Sequence, residues 1–172
     1  LADTKEPLFR QVLKKYFGYD SFRPGQDTLV EGILSGRDAL GIMPTGAGKS
    51  LCYQIPALLM DGITLVISPL ISLMKDQVTT LNQAGIHAAF LNSSLTPGQY
   101  RKALSLMVQG RYRIVYVAPE RLLTESFLEA AGQISISMVS VDEAHCISQW
   151  GQDFRPSYLK ISEFIDRLPV RP

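Results

Sequence analysis

Two hydrophobic spacings alternate along this chain, and together they predict an α/β fold. Apolar residues recur at helical spacing over 8–17 and 24–34. Short, nearly continuous apolar runs follow and predict strands at 39–43, 64–67, 87–91, 113–117 and 135–141. Helical patterns separate these runs and predict helices at 49–60, 70–81, 97–108 and 120–131, with a last one at 158–168. Apolar strands separated by helices predict a mostly parallel sheet covered by helices on both faces, which makes three layers.

Composition restricts the class of protein without naming its chemistry. The chain has 172 residues, 46% hydrophobic and 19% charged, so we expect one globular domain. Its net charge of +1 is too small to indicate nucleic-acid binding by itself. No apolar run approaches the ~18 residues that span a bilayer, and the first residues do not form a signal peptide. Cys52 and Cys146 lie in no metal-ligand spacing. We therefore expect a cytoplasmic protein with reduced thiols and no membrane contact.

A glycine-rich turn lies between the first predicted strand and the helix that follows it. Its residues are Met43, Pro44, Thr45, Gly46, Ala47, Gly48, Lys49 and Ser50. Glycines let backbone N–H groups converge on phosphate, the lysine supplies a positive charge, and the serine hydroxyl can coordinate Mg²⁺. Met43 stands where the usual phosphate-loop pattern has glycine. The alternative, an ordinary strand–helix turn, explains neither the second glycine nor the lysine–serine pair.

An acidic pair, Asp142 and Glu143, comes directly after the last predicted strand. Right-handed crossovers bring the carboxyl ends of parallel strands to one edge of the sheet, where ligands bind, so we expect the glycine turn and this pair to form one nucleotide site. In such a site the aspartate holds Mg²⁺ and the glutamate orients or deprotonates the attacking water. A helix cap would explain one acid, but less well two acids beside a phosphate loop. His145 is then expected to couple to the γ-phosphate.

Four further stretches resemble motifs of the RecQ DNA helicases of superfamily two. They are Phe17–Gln26, Ser68–Val78, Tyr116–Leu122 and Ser148–Pro156. The resemblance implies ATP and Mg²⁺ as cofactors, and a RecA-like domain. In the first stretch it implies that Tyr19 stacks on adenine, Arg23 supports that site and Gln26 hydrogen-bonds the base edge. The chemistry is consistent, because a carboxamide matches the donor and acceptor of adenine.

The most family-specific stretch is Ser148–Pro156, which resembles the aromatic-rich loop that couples DNA binding to ATP hydrolysis in RecQ enzymes. The resemblance of this loop implies that Trp150, Phe154 and Arg155 contact DNA. The resemblance of Ser68–Val78 implies the same of Lys75. Aromatic rings stack on bases at about 1–3 kcal/mol each. The chain departs from the family at Gln152, where a histidine is common.

The resemblance implies a first RecA-like domain over residues 1–172, truncated at its C-terminal end, within a longer enzyme. The implied partners are single-stranded and duplex DNA and a second RecA-like domain of the same longer chain, and the implied location is the cytoplasm, at the nucleoid in a bacterium. Two other functions stay open. One is an RNA helicase or remodeller, because Asp-Glu-Ala-His occurs there too, and the other is a non-catalytic nucleic-acid-binding module on an ATPase fold.

Overall fold

The computed structural model describes residues 7–44 and 46–172. The described chain falls into two compact units that divide between Asp61 and Gly62, and each unit is described by itself. Thr45, which was predicted to belong to the phosphate loop, lies outside the described residues. None of the helices in the described ranges combines the length and the apolar character that crossing a membrane requires.

Helices make up the first unit. Helix α1 (Leu8–Val12) continues into a π-helical turn (Leu13–Phe17), and Gly18 ends it with φ of 74°. Helix α2 (Gln26–Leu34) and helix α3 (Lys49–Leu59) follow. Their apolar faces meet in a core formed by Phe9, Val12, Leu13, Val30 and Ile55. The helices predicted from spacing are confirmed, with the second beginning two residues later than expected.

The strand predicted at 39–43 is wrong, because the structure gives this segment no regular secondary structure. Leu40 and Ile42 are 76% and 91% exposed, so neither side chain is buried on a sheet face. Gly41 lies close to α2, where an added Cβ would come within 2.8 Å of Leu29. The described elements of this unit are all helical, so it offers the segment no strand with which to share hydrogen bonds.

A four-stranded parallel sheet organises the second unit. Its strands are β1 (Ile63–Ile67), β2 (Ala88–Leu91), β3 (Ile114–Val117) and β4 (Ile136–Val141). The spatial order is β2-β3-β1-β4, and every pairing is parallel. The last residues of three strands lie side by side, since Ile67 pairs with both Val117 and Val141. The carboxyl ends of these strands therefore share one edge, as predicted.

Three helices connect successive strands, and a fourth follows β4. They are α4 (Ile71–Gln83), α5 (Pro97–Val108), α6 (Glu125–Ala131) and α7 (Lys160–Asp166). Helix α5 begins with a capping box, in which the Thr96 hydroxyl accepts from the Gln99 N–H and the Gln99 side chain accepts from the Thr96 N–H. Short 3₁₀ turns cover Pro119–Arg121, Ala144–Ile147 and Pro156–Leu159.

The sheet is covered on both faces, which confirms the α/β fold class. Ile63, Leu65 and Ile67 alternate along β1 and pack into one core with apolar residues of α5, α6 and α7. Crossovers between parallel strands are almost always right-handed, and with this strand order such a connection from β1 to β2 places α4 on the other face. The buried residues Met74, Val78 and Leu81 form its inward stripe.

Candidate active site

The glycine-rich turn has the backbone that phosphate loops require. Gly46 and Gly48 have φ of 78° and 77°, in the left-handed region that favours glycine. Gly48 is the residue before α3, and Lys49 and Ser50 form that helix's first turn. Free N–H groups and the helix dipole both favour an anion at this end of the helix. The described residues of the turn therefore have the positive φ and the following helix start that the predicted phosphate loop needs, and phosphate binding stays a prediction.

Arg23 and Gln26 are tied to this turn by hydrogen bonds. The Gln26 Nε2 donates to the carbonyls of Ala47 (3.2 Å) and Gly48 (3.0 Å), and its Oε1 accepts from the Arg23 N–H at 2.8 Å. The Arg23 guanidinium donates to the Gly46 carbonyl. Gln26 is 1% exposed. Its two N–H donors are thus engaged with the loop, and its expected contact with adenine stays a prediction.

Tyr19, predicted to stack on adenine, and Met43, the first residue of the turn, differ in environment. Tyr19 is 54% exposed, so its ring is open to stacking. Met43 is half-buried, with its Sδ 3.9 Å from the Cys52 Sγ. Burial raises the pKa of the Cys52 thiol. Met43 therefore fills space beside α3 and brings no charge to the loop.

The acidic pair lies where β4 ends. The Asp142 N–H donates to the Ile67 carbonyl at 2.8 Å and so continues the sheet by one residue. The Asp142 Oδ1 accepts the Glu143 N–H at 3.0 Å. Glu143 has φ of 51°, the one positive φ among the non-glycine residues the structure describes, and this conformation costs about 1–2 kcal/mol. Strain of this kind is characteristic of functional sites.

His145 stands between two carboxylates. Its Nδ1 is 3.4 Å from the Glu143 Oε2, and its Nε2 is 3.6 Å from the Asp153 Oδ2. The ring is more than half exposed, so these contacts are screened by solvent. The structure thus brings His145 to the catalytic candidate Glu143 and adds Asp153, which sequence reasoning had quoted within a motif but had not singled out.

The residues predicted to contact DNA are accessible in the second unit. Trp150, the only tryptophan of the chain, is 97% exposed, and Arg155 is exposed as well. Phe154 is partly buried, and Lys75 is exposed on α4. The Arg155 N–H donates to the Cys146 carbonyl at 2.9 Å, which ties the end of the aromatic loop to the turn after the acidic pair.

Sequence reasoning missed Tyr158 as a site residue. Its ring is 1% exposed, and its hydroxyl donates to the Asp142 carbonyl at 2.7 Å. Burial, followed by the nearby Cys146, Asp142 and Glu143, raises the pKa of this hydroxyl well above its ordinary value. A tyrosine at a predicted helix start carries no local signal of such a contact, since its partner lies sixteen residues earlier.

The two predicted Mg²⁺ ligands, Ser50 and Asp142, belong to different units and are described one at a time. Within residues 7–44 and 46–172, no group of three or more His, Cys, Asp or Glu side chains is placed to hold a metal ion. Mg²⁺ in nucleotide sites uses one or two protein oxygens together with phosphate oxygens. Ser50 lies in the first turn of α3, and Asp142 is half-buried directly after β4, so the role of each as a Mg²⁺ ligand stays a prediction.

Comparisons with known proteins all find similarity to helicases. The family model described as DEAD/DEAH box helicase matches residues 23–171. The chain is 50% identical over 168 residues to the ATP-dependent DNA helicase RecQ of Haemophilus influenzae, covering 98% of this chain and 27% of that protein. It is 48% identical over 164 residues to the RecQ helicase of Bacillus subtilis, covering 95% of this chain and 28% of that protein. The chain thus spans about a quarter of the length of these curated relatives.

Solved structures share the fold at lower identity. The DUF1998 helicase MrfA, in a crystal with DNA and AMPPNP, matches with a TM-score of 0.61 at 20% identity, over 84% of this chain and 22% of that one. A hypothetical ATP-dependent RNA helicase from Sulfolobus tokodaii matches with a TM-score of 0.60 at 22% identity, over 83% of this chain and 43% of that one. At these identities the likeness bears on fold alone, and it agrees with a RecA-like helicase domain.

Proposed function

Because this chain belongs to the DEAD/DEAH box helicase family, we propose that it is the ATP-binding motor part of a RecQ-type DNA helicase. The longer protein would couple ATP hydrolysis to movement along single-stranded DNA and to duplex unwinding. The observation that carries the proposal is the turn before α3, where two left-handed glycines precede Lys49 and Ser50 and a buried glutamine fastens the turn. The similarity to RecQ helicases supports the same choice.

The phosphate end of ATP is assigned to the turn and the first residues of α3. Backbone N–H groups of the turn would bind phosphate oxygens, and the Lys49 ammonium would neutralise the outer phosphates. Tyr19 is the proposed adenine-stacking ring, and its exposure supports that assignment. Arg23 would support the base site from its position on the Gly46 carbonyl.

The hydrolytic step is assigned to the acidic pair. Ser50 and Asp142 are the proposed Mg²⁺ ligands, and the ion supplies neutralisation of the charge that develops on the phosphates. Glu143 would orient or deprotonate the attacking water. His145, 3.4 Å from the Glu143 Oε2, would link that carboxylate to Asp153 at the far side of the aromatic loop.

DNA contact is assigned to the exposed residues of the second unit. Trp150 and Phe154 would stack on bases, while Arg155 and Lys75 would meet phosphates. The nearly complete exposure of Trp150 supports this role, because the ring face is accessible for stacking on a base. A second RecA-like domain of the longer chain is the proposed source of the remaining catalytic groups, and the proposed location is the cytoplasm.

ATPase assays of the full-length protein test the proposal. Single-stranded DNA should raise turnover, and Glu143→Gln should reduce hydrolysis to a small residual rate while sparing nucleotide binding, because the amide keeps the shape and loses the base. Glu129→Gln is the matched control, since Glu129 is exposed on α6. Unchanged turnover in Glu143→Gln would favour a non-catalytic binding module.

The nucleic acid can be identified in the same assay. DNA and RNA strands of equal length and sequence are compared as stimulators at one salt concentration, because affinities for nucleic acid depend strongly on salt. Stronger stimulation by DNA supports the RecQ-type function. Stronger stimulation by RNA would replace it with an RNA helicase or remodeller.

A further inference from the structure

Tyr158 holds the peptide bond between Asp142 and Glu143 through a single hydrogen bond. Its ring is buried in the core beneath α5, α6 and α7, so its hydroxyl is the one polar group the side chain brings to this site. That hydroxyl donates to the Asp142 carbonyl at 2.7 Å. The distance is typical of a well-formed O–H···O bond.

The other end of the same peptide bond is also occupied. The Glu143 N–H donates to the Asp142 Oδ1 at 3.0 Å. The carbonyl and the N–H of this peptide unit are therefore both held, one by Tyr158 and the other by the aspartate carboxylate. The residue that follows, Glu143, has φ of 51°. A peptide that leads into a left-handed non-glycine residue gains from rotating away, so its two hydrogen bonds oppose that rotation.

Tyr158 is itself well anchored. Its N–H donates to the Arg155 carbonyl at 3.0 Å, within a 3₁₀ turn that begins at Pro156. The Arg155 N–H donates in turn to the Cys146 carbonyl, and the Cys146 N–H donates to the Glu143 carbonyl, both at 2.9 Å. The backbone after Glu143 thus returns to Asp142 as a closed hydrogen-bonded loop whose last link is the Tyr158 hydroxyl.

We propose that Tyr158 is a positioning residue for the acidic pair, fixing the Asp142–Glu143 peptide so that both carboxylates keep their working orientation. This inference rests on the proposed function. Tyr158 acts through the main chain, by its hydrogen bond to the Asp142 carbonyl. Loss of its hydroxyl lets the peptide rotate, which turns the two carboxylates together and lowers the rate of the hydrolytic step.

The test compares Tyr158→Phe with Tyr100→Phe in the full-length protein. Tyr100 is also buried, and its hydroxyl has no hydrogen-bond partner among the described residues, so its loss removes an oxygen without breaking a bond. We expect Tyr158→Phe to lower kcat for ATP roughly fivefold, the rate equivalent of one net hydrogen bond. The KM for ATP should change by less than about twofold, and Tyr100→Phe should leave both unchanged. Each variant is assayed well below its own melting temperature, so that lost stability is not counted as lost turnover.

A double-mutant cycle with Glu143→Gln separates positioning from general weakening of the fold. If Tyr158 acts through Glu143, the double variant should be no slower than Glu143→Gln alone. DNA-free and DNA-stimulated rates of Tyr158→Phe should fall by the same factor. Unchanged kcat in Tyr158→Phe, or losses that multiply in the double variant, would overturn the inference. If Glu143→Gln alone leaves turnover unchanged, the proposed function fails instead.

Discussion

Gln26→Glu should destabilise the phosphate loop far more than its small change in atoms suggests. The substitution replaces the side-chain NH₂ group with a second oxygen at almost constant volume. In the structure that NH₂ group donates to the carbonyls of Ala47 and Gly48 at 3.2 and 3.0 Å, while Oε1 keeps its bond to the Arg23 N–H. The variant therefore loses two donors and turns an oxygen toward two carbonyl oxygens.

The expected cost is about 2–4 kcal/mol of unfolding free energy at pH 7.5. Each lost bond accounts for about 1 kcal/mol, and the 1% exposure of Gln26 adds a desolvation penalty for the ionised acid. Burial and the facing carbonyls will raise the pKa of the new carboxyl above its unfolded value of about 4.3. The ionisation part of the cost is therefore absent near pH 4, and it grows as the pH rises from the unfolded pKa to the folded one.

Urea unfolding at pH 5 and pH 7.5 measures both parts, with Gln133→Glu as the matched control. The Gln133 Nε2 also donates to a main-chain carbonyl, that of Glu129 at 3.2 Å, but this bond is exposed. Water can replace it, so the control should lose less than about 0.5 kcal/mol at either pH. Equal losses in the two variants, or a Gln26→Glu cost that does not grow with pH, would refute the role given to the buried amide.

Three further predictions concern other parts of the chain. Gly48→Ala should weaken ATP binding at least about tenfold in a fluorescent-nucleotide titration. A φ of 77° disfavours a side chain by about 1–2 kcal/mol, and the new Cβ would lie 2.5 Å from the Gln26 Nε2. Gly98→Ala is the control and should bind ATP normally, because the space around Gly98 is open. Trp150→Ala should leave the melting temperature unchanged, because the ring is 97% exposed, while weakening binding of a labelled single strand by ~5–150-fold, as one lost stacking contact implies; unchanged DNA affinity in an anisotropy assay would contradict its role. The Cys146 thiol, whose pKa is raised by burial, should react with a thiol reagent at pH 8 much more slowly in the native protein than in urea, and equal rates would show that the turn after the acidic pair is open.

Sequence reasoning succeeded where the physical cause is local. The spacing of Met74, Val78 and Leu81 predicts α4 because one helix face must be apolar to be buried. Gly46 and Gly48 predict a tight turn because only glycine adopts positive φ readily. In each case the residue type and its neighbours already contain the reason for the structure.

It failed where the deciding partner is distant. The apolar run at 39–43 looks like a strand, but a strand exists only with a neighbour to bond, and the described elements of its own unit are all helical. For Gln26, sequence reasoning did not foresee that the amide donors bond to carbonyls about twenty residues away, and its contact with adenine stays a prediction. Tyr158 escaped notice because nothing near it in sequence indicates where its hydroxyl goes.

The two candidate half-sites use the same physical device with different residues. In each, a side chain from elsewhere in the same unit donates to the main chain of a turn with positive φ: Gln26 at Gly48, and Tyr158 at the peptide before Glu143. Glycine adopts such a turn with no side-chain penalty, which suits a loop whose backbone binds phosphate. At Glu143 the carboxylate itself is needed, so glycine is not an option and the strain of about 1–2 kcal/mol remains. One hydrogen bond contributes about 1 kcal/mol, so the bonds at the Asp142 carbonyl and the Glu143 N–H are together of the size needed to offset that strain. Removing either one should therefore shift the conformation of the acidic pair before it affects the rest of the fold.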